Sequence, residues 1–219
     1  MRRIGKAMIA AALPLVAGAT AARAQLAGIP VYFNPRGGTG IGVSADLGFP
    51  NNNAGGGTAY GVAGSFGAGP VTLTGMVGAW KGTGFGSAET SFGADLGYRL
   101  FGGGLLPVAV GVQAGYGSVK IPAIGGTVTA TTIPVGIALA LNPPLFPLKP
   151  WVAPHMDFTS VSGGGGNASN FHVSAGVNFN LLLGLGVHAA VDWGKIKGTD
   201  QTSLVWGVGA HFNFHVPVM

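Results

Sequence analysis

The stretch that decides the fold reads FHVSAGVNFNLLLGLGVHAAVDWG and covers residues 171–194. Apolar side chains occupy every second position from Phe171 to Phe179, and the alternation resumes from Leu185 to Trp193. A period of two residues is typical of β-strands whose two faces meet different surroundings. The short break at 181–184 predicts a hairpin that places the two segments side by side as antiparallel strands.

The composition of the whole chain favours a membrane barrel. Its 219 residues include 42 glycines and no cysteine, 47% are hydrophobic and only 8% are charged, whereas an ordinary soluble protein carries about 25% charged residues. Beyond residue 24 no segment supplies the roughly 18 uninterrupted apolar residues of a membrane helix, and prolines interrupt the most apolar stretch, residues 133–148. A closed barrel is the other structure that satisfies its backbone within lipid.

The first residues have the pattern of an export signal. Three basic residues within the first six positions precede an apolar run, and Ala22-Arg23-Ala24 matches the small-residue rule for signal cleavage. We expect residues 1–24 to be removed and the mature chain to begin at Gln25. Removal leaves seven of the eleven basic residues against six acidic ones, so the formal net charge falls from +5 to +1. We therefore expect no nucleic acid partner.

Alternating segments recur along the rest of the chain and number ten. Each is close to the roughly 9–11 residues that a tilted strand needs to cross a bilayer. The predicted strands lie at about 40–48, 58–68, 71–80, 90–100, 105–117, 129–142, 151–160, 171–181, 185–194 and 204–214. Tight connections such as Gly69-Pro70 alternate with longer polar loops such as 118–128.

The predicted fold is all-β, a transmembrane antiparallel up-and-down β-barrel of ten strands, with eight strands as the open alternative. Residues 25–39 are expected to form a periplasmic lead-in, residues 40–214 the barrel and residues 215–219 a C-terminal overhang.

The end of the last predicted strand, VWGVGAHFNF at residues 205–214, is rich in aromatic residues. With Ala22-Arg23-Ala24 and the alternating strands, it resembles small bacterial outer-membrane β-barrel proteins such as the OmpW-like and OmpX/OmpA-like groups. The resemblance covers about residues 40–214 and implies a porin-like barrel in the outer membrane of a Gram-negative cell. It also implies contact with lipid and lipopolysaccharide, and handling by periplasmic chaperones and the barrel-assembly machinery. Such chains usually end on an aromatic residue, whereas this one continues past Phe214 to Met219.

Strand alternation assigns the apolar face to lipid and the polar face to the lumen. Aromatic residues gather towards both ends of the strands, as interfacial girdles do. One predicted girdle consists of Phe49, Tyr60, Phe92, Tyr116, Phe158, Phe171, Trp193 and Trp206, and the other of Phe66, Tyr98, Phe101, Trp151, Phe179, Phe212 and Phe214. The predicted lumen lining consists of Asp46, Asp95, Arg99, Gln113, His155, Asp157, His172, Ser174, Asn178, His188, Asp192 and His211.

Three functions remain open for this interior. Ten strands with a glycine-rich lining give a narrow lumen, which favours a narrow pore or a binding barrel for small solutes. The second is a structural or surface-interaction barrel with a plugged lumen, in which Asp95 and Arg99 belong to a structural polar network. The third is a hydrolase at the outer rim that uses His172, Ser174, Asp157 and Asp192, because a hydroxyl, an imidazole and carboxylates are the parts of a nucleophile and its base.

The catalytic interpretation has only partial parallels. Omptin proteases use Asp and His at the outer mouth of a ten-stranded barrel, and lipid A deacylases have a His-x-Ser pair similar to His172-Val173-Ser174. The deacylase acid is a glutamate, however, and the only glutamate here is Glu89, distant in sequence. Because neither parallel is complete, we expect that the chain is not an enzyme and needs no cofactor. We also expect it to be a monomer. The four inward histidines lie on different strands and form no recognisable metal motif, so no metal site is predicted.

Overall fold

The structure, a computed structural model, describes residues 26–30, 40–103, 106–123, 126–143, 146–163, 166–196 and 198–214. The predicted signal peptide, residues 1–24, and the predicted overhang, residues 215–219, lie outside this part of the chain. The strands are β1 Gly40–Pro50, β2 Thr58–Ala68, β3 Val71–Lys81, β4 Glu89–Gly103, β5 Leu106–Ala123, β6 Gly126–Leu141, β7 Leu148–Val161, β8 Gly166–Asn180, β9 Leu185–Lys195 and β10 Thr202–Phe214. Two single 3-10 turns occur at Asn52–Ala54 and Leu182–Gly184.

The strands form one closed antiparallel barrel. Each strand pairs with its neighbours in sequence, and β1 pairs with β10 to close the ring. The prediction of a ten-stranded barrel is therefore confirmed, and the eight-stranded alternative is wrong. Among the described residues there is no helix of the length and apolar character needed to cross a membrane.

The two ends of the barrel differ. We call the end with Gly40, Phe214 and the tight Gly69-Pro70 connection the turn end, and the end with the connections 51–57 and 82–88 the loop end. Between the ends the outer surface is apolar, with exposed side chains such as Val62 and Leu96. An apolar band of this kind matches lipid rather than water.

The predicted aromatic girdles agree with the structure with one clear exception. All eight residues predicted for the loop-end girdle, from Phe49 to Trp206, are exposed on the outer surface. Trp151, predicted for the turn-end girdle, is instead buried in the lumen. It lies opposite Gly176 of β8, and a side chain at Gly176 would meet the indole ring. Trp151 points inward because alternation along β7 places it on the same face as His155 and Asp157, and Gly176 leaves space for its ring.

The strands on one side extend further than the sequence pattern predicts. Residues 118–128 are not a loop, because β5 continues to Ala123, β6 begins at Gly126, and these two residues pair. Val119 and Ile121 are buried inside the barrel. Their burial against other interior side chains stabilises the longer hairpin, and this tertiary effect is invisible in the local sequence.

The N-terminal segment, here defined as residues 26–30, lies inside the barrel. The sequence assigns it to a periplasmic lead-in, but Leu26 and Ile29 form an isolated antiparallel bridge and are 4% and 1% exposed. The backbone turns at Gly28, whose φ of 74° lies in the left-handed region that glycine accepts without strain. The rest of the predicted lead-in lies outside the described residues.

Candidate functional site

Glycines on three neighbouring strands provide the seat for the N-terminal segment. A Cβ on Gly48 of β1 would overlap the carbonyl oxygen of Gly28. Gly61 of β2 and Gly78 of β3 pair with each other, and a Cβ on either would press against the Leu26 side chain. The segment can approach the wall this closely because these positions lack side chains.

The segment belongs to an apolar layer that crosses the lumen. We define this layer by its buried residues: Leu26, Ala27, Ile29, Ala59, Trp80, Val119, Ile121, Ala130 and Val161. It joins the segment to β2 and β3 on one part of the wall and to β5, β6 and β7 on another. On the loop-end side, the Trp80 indole N–H donates to the Gly56 carbonyl oxygen at 3.0 Å, and Phe85 packs edge-on at 5.0 Å between ring centroids.

A polar cavity lies between the apolar layer and the turn end. We call it the inner chamber; its volume is about 150 Å³, and Leu26, Ile29 and Pro30 line it on the layer side. Five of the predicted lumen residues line it, namely Asp46, Asp95, Asn178, His188 and His211. Since a water molecule occupies about 30 Å³ in the liquid, the chamber has space for a small polar molecule.

One wall of the inner chamber carries a continuous chain of polar contacts. Ser44 Oγ donates to Asp46 Oδ2 at 2.8 Å, and His188 Nε2 lies 2.6 Å from Asp46 Oδ1. The Nδ1 atoms of His188 and His211 are 3.0 Å apart, and His211 Nε2 is 3.3 Å from Asn180 Oδ1. These contacts connect side chains of β1, β9, β10 and β8 along one wall of the chamber.

A second polar group lies deeper in the wall formed by β7, β8 and β9. We call it the buried His–Asp cluster, consisting of His155, Asp157, His172, Ser174 and Asp192. The register pairs His155 with His172 and Ser174 with Asp192. Ser174 Oγ donates to Asp192 Oδ1 at 2.6 Å, and His172 Nδ1 lies 2.7 Å from Asp192 Oδ2. The structure thus brings together all four residues considered for catalysis, and adds His155.

The hydrogen-bond pattern of this cluster differs from that of a catalytic triad. In a Ser-His-Asp triad the serine hydroxyl bonds to the imidazole, which removes its proton. Here the hydroxyl hydrogen of Ser174 goes to Asp192, and the His172 ring bonds to the other oxygen of the same carboxylate. Ser174 and Asp192 are also completely buried, so a substrate has no surface on which to meet the hydroxyl.

His155 has an unusual environment within the cluster. Its Nδ1 lies 2.9 Å from the carbonyl oxygen of Ala153, and because a carbonyl only accepts, Nδ1 carries the hydrogen. Its Nε2 is 3.6 Å from Asp157 Oδ1 and 3.6 Å from Asp192 Oδ1. These separations exceed hydrogen-bond distance, and Nε2 has no hydrogen-bond partner in the described part of the chain.

Each lumenal imidazole faces a glycine on an adjacent strand. The register pairs are His155 with Gly136, His172 with Gly194, His188 with Gly209 and His211 with Gly186. A Cβ at any of these glycines would overlap its histidine. Glycine is therefore what lets rings fit inside a ten-stranded barrel.

Two remaining predicted residues lie apart from both clusters. Arg99 Nη2 donates to the Gly69 carbonyl oxygen at 3.5 Å near the turn end. Gln113 is 3% exposed, and neither amide atom has a hydrogen-bond partner among the described residues. Sequence reasoning missed Leu26, Ile29 and Trp80, whose only signal was the presence of glycine on the strands that they contact.

Comparisons with known proteins are consistent with the barrel and identify no family. A scan against protein-family models finds no match to this chain, and a search of curated proteins finds none either. Solved structures with a similar fold include the N-terminal β-barrel domain of Pseudomonas aeruginosa OprF, at 14% identity over 81% of this chain and 99% of that chain, with a TM-score of 0.43. The β domain of the Bordetella autotransporter BrkA is 14% identical over 81% of this chain and 99% of that chain, with a TM-score of 0.46. Neisserial surface protein A is 16% identical over 81% of this chain and 98% of that chain, with a TM-score of 0.38. Similarity this low says nothing about activity.

Proposed function

We propose that this chain is a narrow pore of a bacterial outer membrane that its own N-terminal segment closes. In this proposal the chain is exported through a cleaved signal peptide, and it passes small solutes only when residues 26–30 leave the lumen. The observation that carries the proposal is the position of the apolar layer directly against the polar inner chamber.

The outer surface supports the membrane location. Exposed apolar side chains such as Val62 and Leu96 cover the wall, and exposed aromatic residues stand near its ends. Because β1 and β10 pair, the ring leaves no open strand edge for association with another chain. A monomer surrounded by lipid and lipopolysaccharide fits this surface. We also propose that periplasmic chaperones and the barrel-assembly machinery assemble the barrel, and that it has no nucleic acid partner.

The apolar layer accounts for the closed state. A polar solute that crosses it loses hydrogen bonds to water and gains none, at a cost of about 2–7 kcal/mol for each uncompensated group. The inner chamber, by contrast, offers hydrogen-bonding groups such as Asp46, Asn178 and His211. In this proposal a solute enters the chamber from the turn end and stops beneath the layer.

The test is electrical conductance of the purified protein in planar bilayers. The mature chain should be silent or open only rarely, and a variant that lacks residues 26–30 should show frequent discrete steps. If the mature chain conducts as often as the shortened variant, the segment does not close the barrel. Circular dichroism of both proteins establishes that they are folded.

Silence of both proteins, with both folded, would instead favour a second function, a permanently plugged structural barrel. The buried His–Asp cluster favours this alternative, because its side chains fill the wall region between β7 and β9. We propose no hydrolase activity at Ser174, because its hydroxyl is buried and bonds to a carboxylate rather than to an imidazole.

A further inference from the structure

We propose that the outer surface of the barrel carries, at the loop-end rim, a binding site for one phosphate group of lipopolysaccharide. We call this site the lysine pocket; it lies between β8 and the connection from β9 to β10, and its volume is about 620 Å³. Its lining includes Met156, Ser169, Phe171, Lys195, Thr199 and Asp200. The inference rests on the proposed outer-membrane location and is independent of conduction through the lumen.

The charges on the outer face point to an anionic partner at this end of the barrel. Lys81 of β3, Lys120 of β5 and Lys195 of β9 are exposed and alternate in phase with the outward apolar side chains of their strands. In the described strands the remaining charged side chains alternate in phase with the lumen. The three outward charges are therefore all positive and all at the loop end. Lysines at a membrane surface attract anionic lipid groups.

The lysine pocket combines polar and apolar surfaces in the order that a lipid requires. Met156 and Phe171 pair across β7 and β8, and both side chains are exposed on the lipid-facing side. Lys195 lies two residues beyond the girdle residue Trp193, or about 7 Å further along β9. Ser169 lies two residues beyond Phe171 in the same direction and adds a hydroxyl group. A phosphate at the Lys195 ammonium thus has a hydroxyl partner towards the loop end and apolar surface for an acyl chain beside it.

Hydrogen bonds hold the connection that forms one side of the pocket. The Ile196 amide donates to the Gln201 carbonyl oxygen at 3.0 Å, and the Thr199 amide donates to the Ile196 carbonyl oxygen at 3.1 Å. The Ile196 side chain is buried and packs with Ala54 and Val205. Because the pocket is ordered before a ligand arrives, binding loses less conformational entropy.

Asp200 is the acidic residue among those that line the pocket. Its carboxylate lies 4.0 Å from the Lys195 ammonium, and both side chains are widely exposed. An ion pair this long and this exposed contributes little, so the ammonium remains available to a phosphate. The carboxylate still lowers the positive potential of the pocket, and removal of its charge should therefore strengthen the binding of an anion.

The experiment measures binding of diphosphoryl lipid A, the membrane-embedded part of lipopolysaccharide, to the folded mature chain by native mass spectrometry from detergent. We expect one lipid A to be retained per barrel. Lys195→Gln should weaken retention about 5-fold, which is the contribution of one lysine near an anionic membrane surface. Lys120→Gln is the matched control, because it makes the same change at an exposed outward lysine that does not line the pocket; it should change retention less than about 2-fold. Asp200→Asn should increase retention.

The three substituted side chains are exposed, so the variants are expected to fold, and circular dichroism verifies this. Phosphatidylglycerol, an anionic lipid without sugar hydroxyls, serves as the comparison probe. Retention of phosphatidylglycerol as strongly as lipid A would overturn lipopolysaccharide as the partner. Equal losses for Lys195→Gln and Lys120→Gln, or a folded mature chain that retains no lipid A, would overturn the pocket. Silence in the conductance experiment together with lipid A retention would refute the pore alone.

Discussion

Shortening Leu26 tests the closing role of the N-terminal segment most directly. Its side chain is 4% exposed and faces the flat surface that Gly61 and Gly78 form. Leu26→Ala removes these contacts without altering any residue of the wall. The variant therefore weakens the closed state while the barrel itself keeps its strand pairing.

The expected magnitude follows from burial. A buried leucine shortened to alanine loses roughly 2–3 kcal/mol. The free energy that holds the segment in the lumen is small, because ordering each of its residues costs about 1–2 kcal/mol and offsets much of the gain from burial. Since about 1.4 kcal/mol corresponds to a tenfold change in an equilibrium, the ratio of open to closed barrels should rise by about 30- to 150-fold.

The assay is the open probability of single barrels in planar bilayers. Leu73→Ala is the matched control, because it makes the same change on the outer face, where Leu73 is 55% exposed. This control should behave like the mature chain. An unchanged open probability in folded Leu26→Ala, or an equal rise in Leu73→Ala, would refute the reasoning.

Two further predictions concern the chamber and the glycines. In the variant that lacks residues 26–30, Asp46→Asn should reduce the preference for cations, because it removes a carboxylate that lines the chamber. The reversal potential across a salt gradient measures this preference. An unaltered reversal potential would show that Asp46 does not lie on the path of the solute. Gly194→Ala should destabilise the barrel by about 1–3 kcal/mol, because a Cβ there overlaps the His172 ring. Gly64→Ala meets nothing within 4 Å and is the control; equal urea unfolding midpoints for the two variants would contradict the predicted clash.

The alternation of side chains was sufficient to predict the barrel. Along residues 171–179 and 185–193 the two faces differ so consistently that strand type and approximate bounds follow from the pattern. The error at 118–128 has a physical cause. Val119 and Ile121 extend β5 by packing against interior residues of other strands, and a local pattern contains no information about those partners.

The candidate site was only partly predictable. Alternation gives the inward direction of Ser174 and Asp192, but their pairing depends on the register between β8 and β9, and a slip of one residue reverses every side chain. The N-terminal segment was beyond prediction because it is too short for any periodic pattern. Its seat consists of glycines on three strands, which are unremarkable in a chain with 42 of them.

The seam between β1 and β10 has a consequence for assembly. It pairs Ile41 with Phe214 and Pro50 with Val205, residues from opposite ends of the barrel sequence. Ladders between such distant residues are slow to form, so we expect this one to form last. Until then the chain exposes an unpaired strand edge and an apolar N-terminal segment, both of which promote aggregation. Pairing of β1 with β10 around the N-terminal segment buries both the strand edge and the segment in a single step.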